Sequence, residues 1–153
     1  MGATLAQECV RITASDFRRM IFPIQFRLPT YNRWLLHEAD LAPAYRWHRL
    51  FLQHLQSRHP ATQWLLKSPA HLWHLEQLVG EYPDAIIVQT HRDPLKCMAS
   101  TTSLMGTLYS MRSDQPFNAA MFENIIMGEA TAQRLEKVMQ QRDSGVVPEA
   151  NIA

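Results

Sequence analysis

A short phrase occurs twice in this chain and limits its fold more than any other feature: an apolar run, a basic residue, a capping residue and a proline. In the first copy Trp64, Leu65 and Leu66 lead into Lys67, Ser68 and Pro69. In the second, Ala85, Ile86, Ile87 and Val88 lead through Thr90 and His91 into Arg92, Asp93 and Pro94. A proline in the first helical position gives up no hydrogen bond, and a preceding Ser or Asp accepts from the free N–H groups of the first turn. Each copy therefore predicts a buried strand passing into a helix. The first helix runs through His71, Leu72, Leu75 and Leu78 to Gly80 or Tyr82–Pro83; the second carries Leu95, Met98, Ala99, Leu104 and Met105 and reaches Met111 or Arg112. Two apolar strands joined by a helical crossover of about 15 residues form a βαβ unit, paired in parallel and connected right-handedly.

The flanks read as helix. The expected segments are Thr4 to Met20, one following Thr30, and Leu41 to Arg58, where Tyr45, His48, Leu52 and Leu55 recur at helical spacing. Pro23, Pro29, Pro43 and Pro60 mark breaks or first turns. From Pro116 to Arg142 one long helix is expected, with Phe117, Met121, Ile125, Gly128 and Leu135 on one side and Gly145 as its stop. At Val146, Val147 and Pro148 a further strand begins and is cut off. The expectation is an α/β chain, rich in helix: one partial domain with a helical region over 1–60, a βαβα core over 63–112 and a long helix over 116–142.

Lysine and arginine total 15 against 14 acidic residues, and a net charge of +1 offers no overall field toward nucleic acid or an anionic membrane. Any anion site must be local. Cys9 and Cys97 form no metal or disulfide spacing, and no run of about 18 apolar residues suits a membrane span, so a soluble, cytoplasmic protein is expected. Ala6 stands where a myristoylation signal after Gly2 needs Ser or Thr. Gly2, Gly80, Gly106, Gly128 and Gly145 lie too far apart for a Walker or Rossmann loop. The seven histidines include His71 and His74, and His48 and His54, but no HExxH accompanies them and no metal is expected.

Ligands of open parallel sheets sit beyond the carboxyl ends of the strands, where helix starts present N–H groups to anions. Both predicted strand ends carry a cation there, Lys67 and Arg92. Ser100 follows Arg92 by eight residues, and Lys96 and Ser103 share its helix face. Each has a plainer reading: Arg92–Asp93 as a solvated turn pair, Lys67 snorkelling, Ser100 allowing close packing, Ser68 a cap in any case, and His71 capping or packing. Tyr31, Trp34, Trp47 and Phe51 fit an acceptor pocket, yet aromatic residues on amphipathic helices more often belong to the core.

The segments Leu66-Lys67-Ser68-Pro69-Ala70-His71 and His91-Arg92-Asp93-Pro94 resemble the LKSPxH and HRDP motifs of sulfotransferases that use 3′-phosphoadenosine 5′-phosphosulfate, in particular the bacterial-type group. Tyr82-Pro83-Asp84-Ala85 and Pro43-Ala44-Tyr45 add to the likeness. The resemblance implies a partial P-loop-type parallel sheet with flanking helices. It further implies that Arg92 and Ser100 bind the donor's 3′-phosphate with Ser68 beside them, and that Lys67 faces the transferred group. His71 is then the remaining candidate base. The co-substrate is the sulfonucleotide donor and no metal takes part; the acceptor is an unidentified small molecule or glycan, with no nucleic acid and no membrane span. The family's glycine-containing loop for the 5′-phosphosulfate has no counterpart here, since residue 1 falls after it, and with it goes an acidic base. A chain incomplete at both ends and inactive alone is expected. The alternative is a non-catalytic helical interaction or regulatory domain derived from the same scaffold. Another P-loop-type phosphotransferase is disfavoured, as no Walker lysine or Mg²⁺ partner is present.

Overall fold

A computed structural model describes residues 7–122 and 129–152 of the chain. Of the first helix expected over Thr4 to Met20, residues 4–6 lie outside the described residues and the rest is broken: α1 (Val10–Thr13) tightens into a 3-10 turn (Ala14–Asp16) and stops at Phe17, whose φ of 58° lies in the left-handed region. Next come α2 (Ile21–Gln25) and α3 (Pro29–His37), with Pro29 in its first turn. The helix α4 (Ala42–Arg58) matches the apolar stripe, for Ala44, Tyr45, His48 and Leu52 are buried. Residues Pro69–His74 form a 3-10 turn continuing as α5 (Leu75–Glu81), and α6 spans Pro94–Ser110.

Within the long helix expected over 116–142, the described residues hold a 3-10 turn (Ala119–Phe122) and α7 (Glu129–Asp143); Ile125 and Gly128 lie outside the described residues. Gly145 follows as the stop, at φ +73°, with its N–H donating to the Arg142 carbonyl at 3.2 Å. A last 3-10 turn covers Glu149–Asn151.

The parallel sheet is not formed. Among the described residues there is no strand, and the two apolar runs do not pair with each other. One isolated parallel bridge joins Ile87 to Ile152, with the Ile87 N–H donating to the Asn151 carbonyl at 2.6 Å. The reason lies in who takes the backbone groups, since a strand needs a neighbour that repeats its hydrogen bonds. The buried Asn151 instead ties the approach to the second run, its Nδ2 donating to the carbonyls of Pro83 at 2.9 Å and Ala85 at 2.7 Å. After the first run, the Lys67 carbonyl accepts from Cys9 at the start of α1, at 2.9 Å. The runs are not buried either: Leu65 is 100% exposed and Val88 71%.

The interior consists of small clusters. Leu35, Leu41 and Ala44 gather Met20, Tyr31 and Trp34. Leu75, Val138 and Val147 join α5 to α7 and receive Ile87 and Ile152, so the single bridge is anchored by packing. Met105 and Phe122 form the third with Phe117, whose ring packs close to Gly106: a Cβ there would stand 3.3 Å from it, and the ring would have to give by a few tenths of an ångström. Of the apolar residues expected to bury on α6, Met105 does, while Leu95 and Leu104 stay exposed. Among the described residues no helix is long and apolar enough to cross a membrane.

Candidate functional site

Both capping phrases form as the residue types dictate. Ser68 is extended, and its Oγ accepts from the Ala70 N–H at 3.3 Å. Asp93 caps α6 with one carboxylate oxygen, Oδ1, which accepts from the N–H groups of Leu95 at 2.9 Å and Lys96 at 3.2 Å. Ser100 lies seven residues past this cap, two turns along and on the same side of the helix. Arg92 and Ser100 are both exposed, and neither side chain is engaged by another described residue. A guanidinium just before the cap and a hydroxyl two turns into this 17-residue helix thus have no partner among the described residues.

Lys67 is engaged elsewhere. Its ammonium donates to Glu8 Oε1, an exposed ion pair joining the first capping phrase to the entry of α1. Glu8 is a residue that sequence reasoning missed, because 59 positions separate it from Lys67 and no motif links them.

His71 belongs to a largely buried polar cluster. Its Nδ1 and the Tyr45 hydroxyl share a hydrogen bond of 3.0 Å, and the neighbouring His48 Nδ1 shares one of 2.7 Å with the Tyr82 hydroxyl. The His48 ring meets the His71 ring edge-on at 6.1 Å. Arg19 lies at the centre, 1% exposed, with Nε donating to Thr13 Oγ1 at 2.6 Å and Cζ 5.3 Å from the centre of the Tyr45 ring. Burial and then the Arg19 charge hold His71 down to about 3, with smaller pushes from His48 and His74. The same two causes lower His48 to about 4; at His74, also lowered to about 4, Lys137 adds a third. Burial raises the Tyr45 and Tyr82 hydroxyls. These imidazoles are therefore neutral near pH 7. Sequence reasoning found Tyr45 and His48 as stripe positions but not Arg19, since an Arg18–Arg19 pair carries no mark of burial.

The aromatic candidates separate. Tyr31 and Trp34 line an open groove of about 670 Å³ with Arg27 and Arg33, but the Tyr31 hydroxyl is spent on the Phe17 carbonyl at 2.6 Å. Trp47 and Phe51 pack on each other, 6.5 Å between ring centres. Among the described residues no three His, Cys, Asp or Glu side chains gather as metal ligands.

Comparison with known proteins adds the following. Residues 1–152 match the family described as "Sulfotransferase family". The fold matches the crystal structure of sulfotransferase STF9 from Mycobacterium avium with a TM-score of 0.80 and 27% sequence identity, over 95% of this chain and 36% of that one. The chain thus spans little more than a third of the length of that structure. Comparison with curated proteins gives no match.

Proposed function

The chain belongs to the sulfotransferase family, and we propose that within it these residues grip the 3′-phosphate end of a 3′-phosphoadenosine 5′-phosphosulfate donor. The observation that carries this reading is the pair of free, exposed side chains, Arg92 before the α6 cap and Ser100 two turns into the helix. A guanidinium forks onto two phosphate oxygens, and a helix start favours the dianion. Ser68, as the cap of the separate turn Pro69–His74, would add that turn's free N–H groups.

In the reaction an acceptor hydroxyl or amine attacks sulfur, the bond from sulfur to the bridging 5′-phosphate oxygen breaks, and the acceptor proton passes to a base. Lys67, at the head of the first capping phrase, is suited to the charge growing on the leaving oxygen. His71 is poorly suited as the base, because Tyr45 occupies its Nδ1 and the Arg19 charge opposes protonation. We assign it to packing. Glu8 is no better placed as the base, since the Lys67 ammonium paired with it also opposes protonation. The sequence has no glycine pair in phosphate-loop spacing, so these residues do not supply the grip on the 5′-phosphosulfate, and transfer by them alone is expected to be undetectable.

The alternative, a non-catalytic interaction domain on the same scaffold, draws support from the exposed Leu65, Ile86, Val88 and Leu95. Calorimetry separates the two readings. Adenosine 3′,5′-bisphosphate is expected to bind about tenfold more tightly than adenosine 5′-monophosphate, the worth of one charge-assisted contact. Equal affinities, or no heat with either, would favour the interaction domain.

A further inference from the structure

A second group of cations lies apart from the donor edge. A cavity of about 110 Å³ is bounded by α3, the 3-10 turn Pro69–His74 and α7. Arg18, Arg19, Arg134 and Lys137 line it together with His74, while none of Lys67, Ser68, Arg92 and Ser100 does. No carboxylate lines it. Arg18 has a partner in Asp16 at 2.6 Å, and Arg134 lies over the Trp73 ring at 5.6 Å. Arg19 differs: it is 1% exposed, and both its Nη1 and Nη2 are buried without a hydrogen-bond partner among the described residues.

A buried guanidinium with no counter-charge is a costly arrangement, and a site that collects further cations around it raises the cost. An anion would reverse the sign of that interaction. The size of the cavity narrows the choice, for at about 30 Å³ per water it holds three or four waters, far less than pockets for drug-sized ligands. We propose that this cavity binds a tetrahedral dianion, sulfate or phosphate, either free or as the end group of a larger molecule. The site is separate from the donor's 3′-phosphate site and does not depend on that assignment.

The test is calorimetry with inorganic phosphate at constant ionic strength, with chloride as the balancing anion. The native chain is expected to give saturable heat. Arg19→Met is expected to weaken binding about tenfold, and Lys137→Gln, at an exposed position, about threefold. In an Arg92→Ala background, which removes phosphate binding at the proposed donor site, saturable heat is expected to persist. Lys137→Gln keeps the test decisive if Arg19→Met fails to fold. Glycerol 3-phosphate run alongside distinguishes an end group, which binds as phosphate does, from a free ion, for which the ester binds poorly; either outcome keeps the site. Absence of saturable heat in the Arg92→Ala background, or equal affinity there with and without Lys137→Gln, would overturn it.

Discussion

Acidification from pH 6.5 toward 4 is expected to unfold this protein within a narrow interval, because three neighbouring histidines are built into it in neutral form. In the folded chain His48 and His74 take a proton only at about 4 and His71 at about 3, whereas in the unfolded chain each does so near 6.5. Below 6.5 the unfolded chain therefore binds protons that the folded chain refuses, and stability falls as pH falls. The slope is about 1.4 kcal/mol per pH unit for each histidine, hence up to about 4 kcal/mol per unit for all three. Two units thus remove up to about 8 kcal/mol, which is enough to unfold a chain in the lower part of the ordinary stability range of about 5–15 kcal/mol. The loss stops growing only below about 4, where the folded histidines begin to titrate. Urea midpoints followed by circular dichroism at pH 7, 6 and 5 should fall steeply; a midpoint constant over this range would show that the imidazoles are not buried as neutral groups.

Removing the ring that organises this cluster is expected to have a comparable effect. Tyr45 is fully buried, lies under the Arg19 guanidinium, stands 5.7 Å from the His71 ring centre to centre, and hydrogen-bonds that imidazole. Tyr45→Ala opens a ring-sized cavity and withdraws the cation–π contact, at a cost of about 3–5 kcal/mol. Tyr45→Phe keeps the ring and leaves His71 Nδ1 unpaired, at about 1–3 kcal/mol. Denaturant curves should rank native above Phe above Ala. Ala and Phe variants of equal stability would mean that the ring packs against nothing that matters.

What the sequence disclosed depended on whether a signal was local. The caps at Ser68 and Asp93, the prolines after them, the glycine stop at 145 and the stripe of α4 are all decided within one or two turns, and each formed as expected. The strands were not legible, because Leu65 and Val88 look alike whether or not a neighbour covers them. The partner of Ile87 turned out to be Ile152, with Asn151 taking carbonyls nearby. Helix breaks without glycine or proline were missed too, as at Phe17, which enters the left-handed region although nothing in its residue type favours it. Of the residues in the proposed site, Arg92 and Ser100 are legible as a spacing. Glu8 and Arg19 are not, since the first acts across 59 residues and the second only through its burial.

The central claim is that Arg92 and Ser100 meet one phosphate, and a coupled measurement tests it directly. Adenosine 3′,5′-bisphosphate and adenosine 5′-monophosphate are titrated into the native chain, Arg92→Ala, Ser100→Ala and the double variant. Arg92→Ala should erase the preference for the 3′-phosphate, Ser100→Ala should reduce it, and the two losses should fall short of additive because both residues serve one group. A preference unchanged by Arg92→Ala would contradict the account.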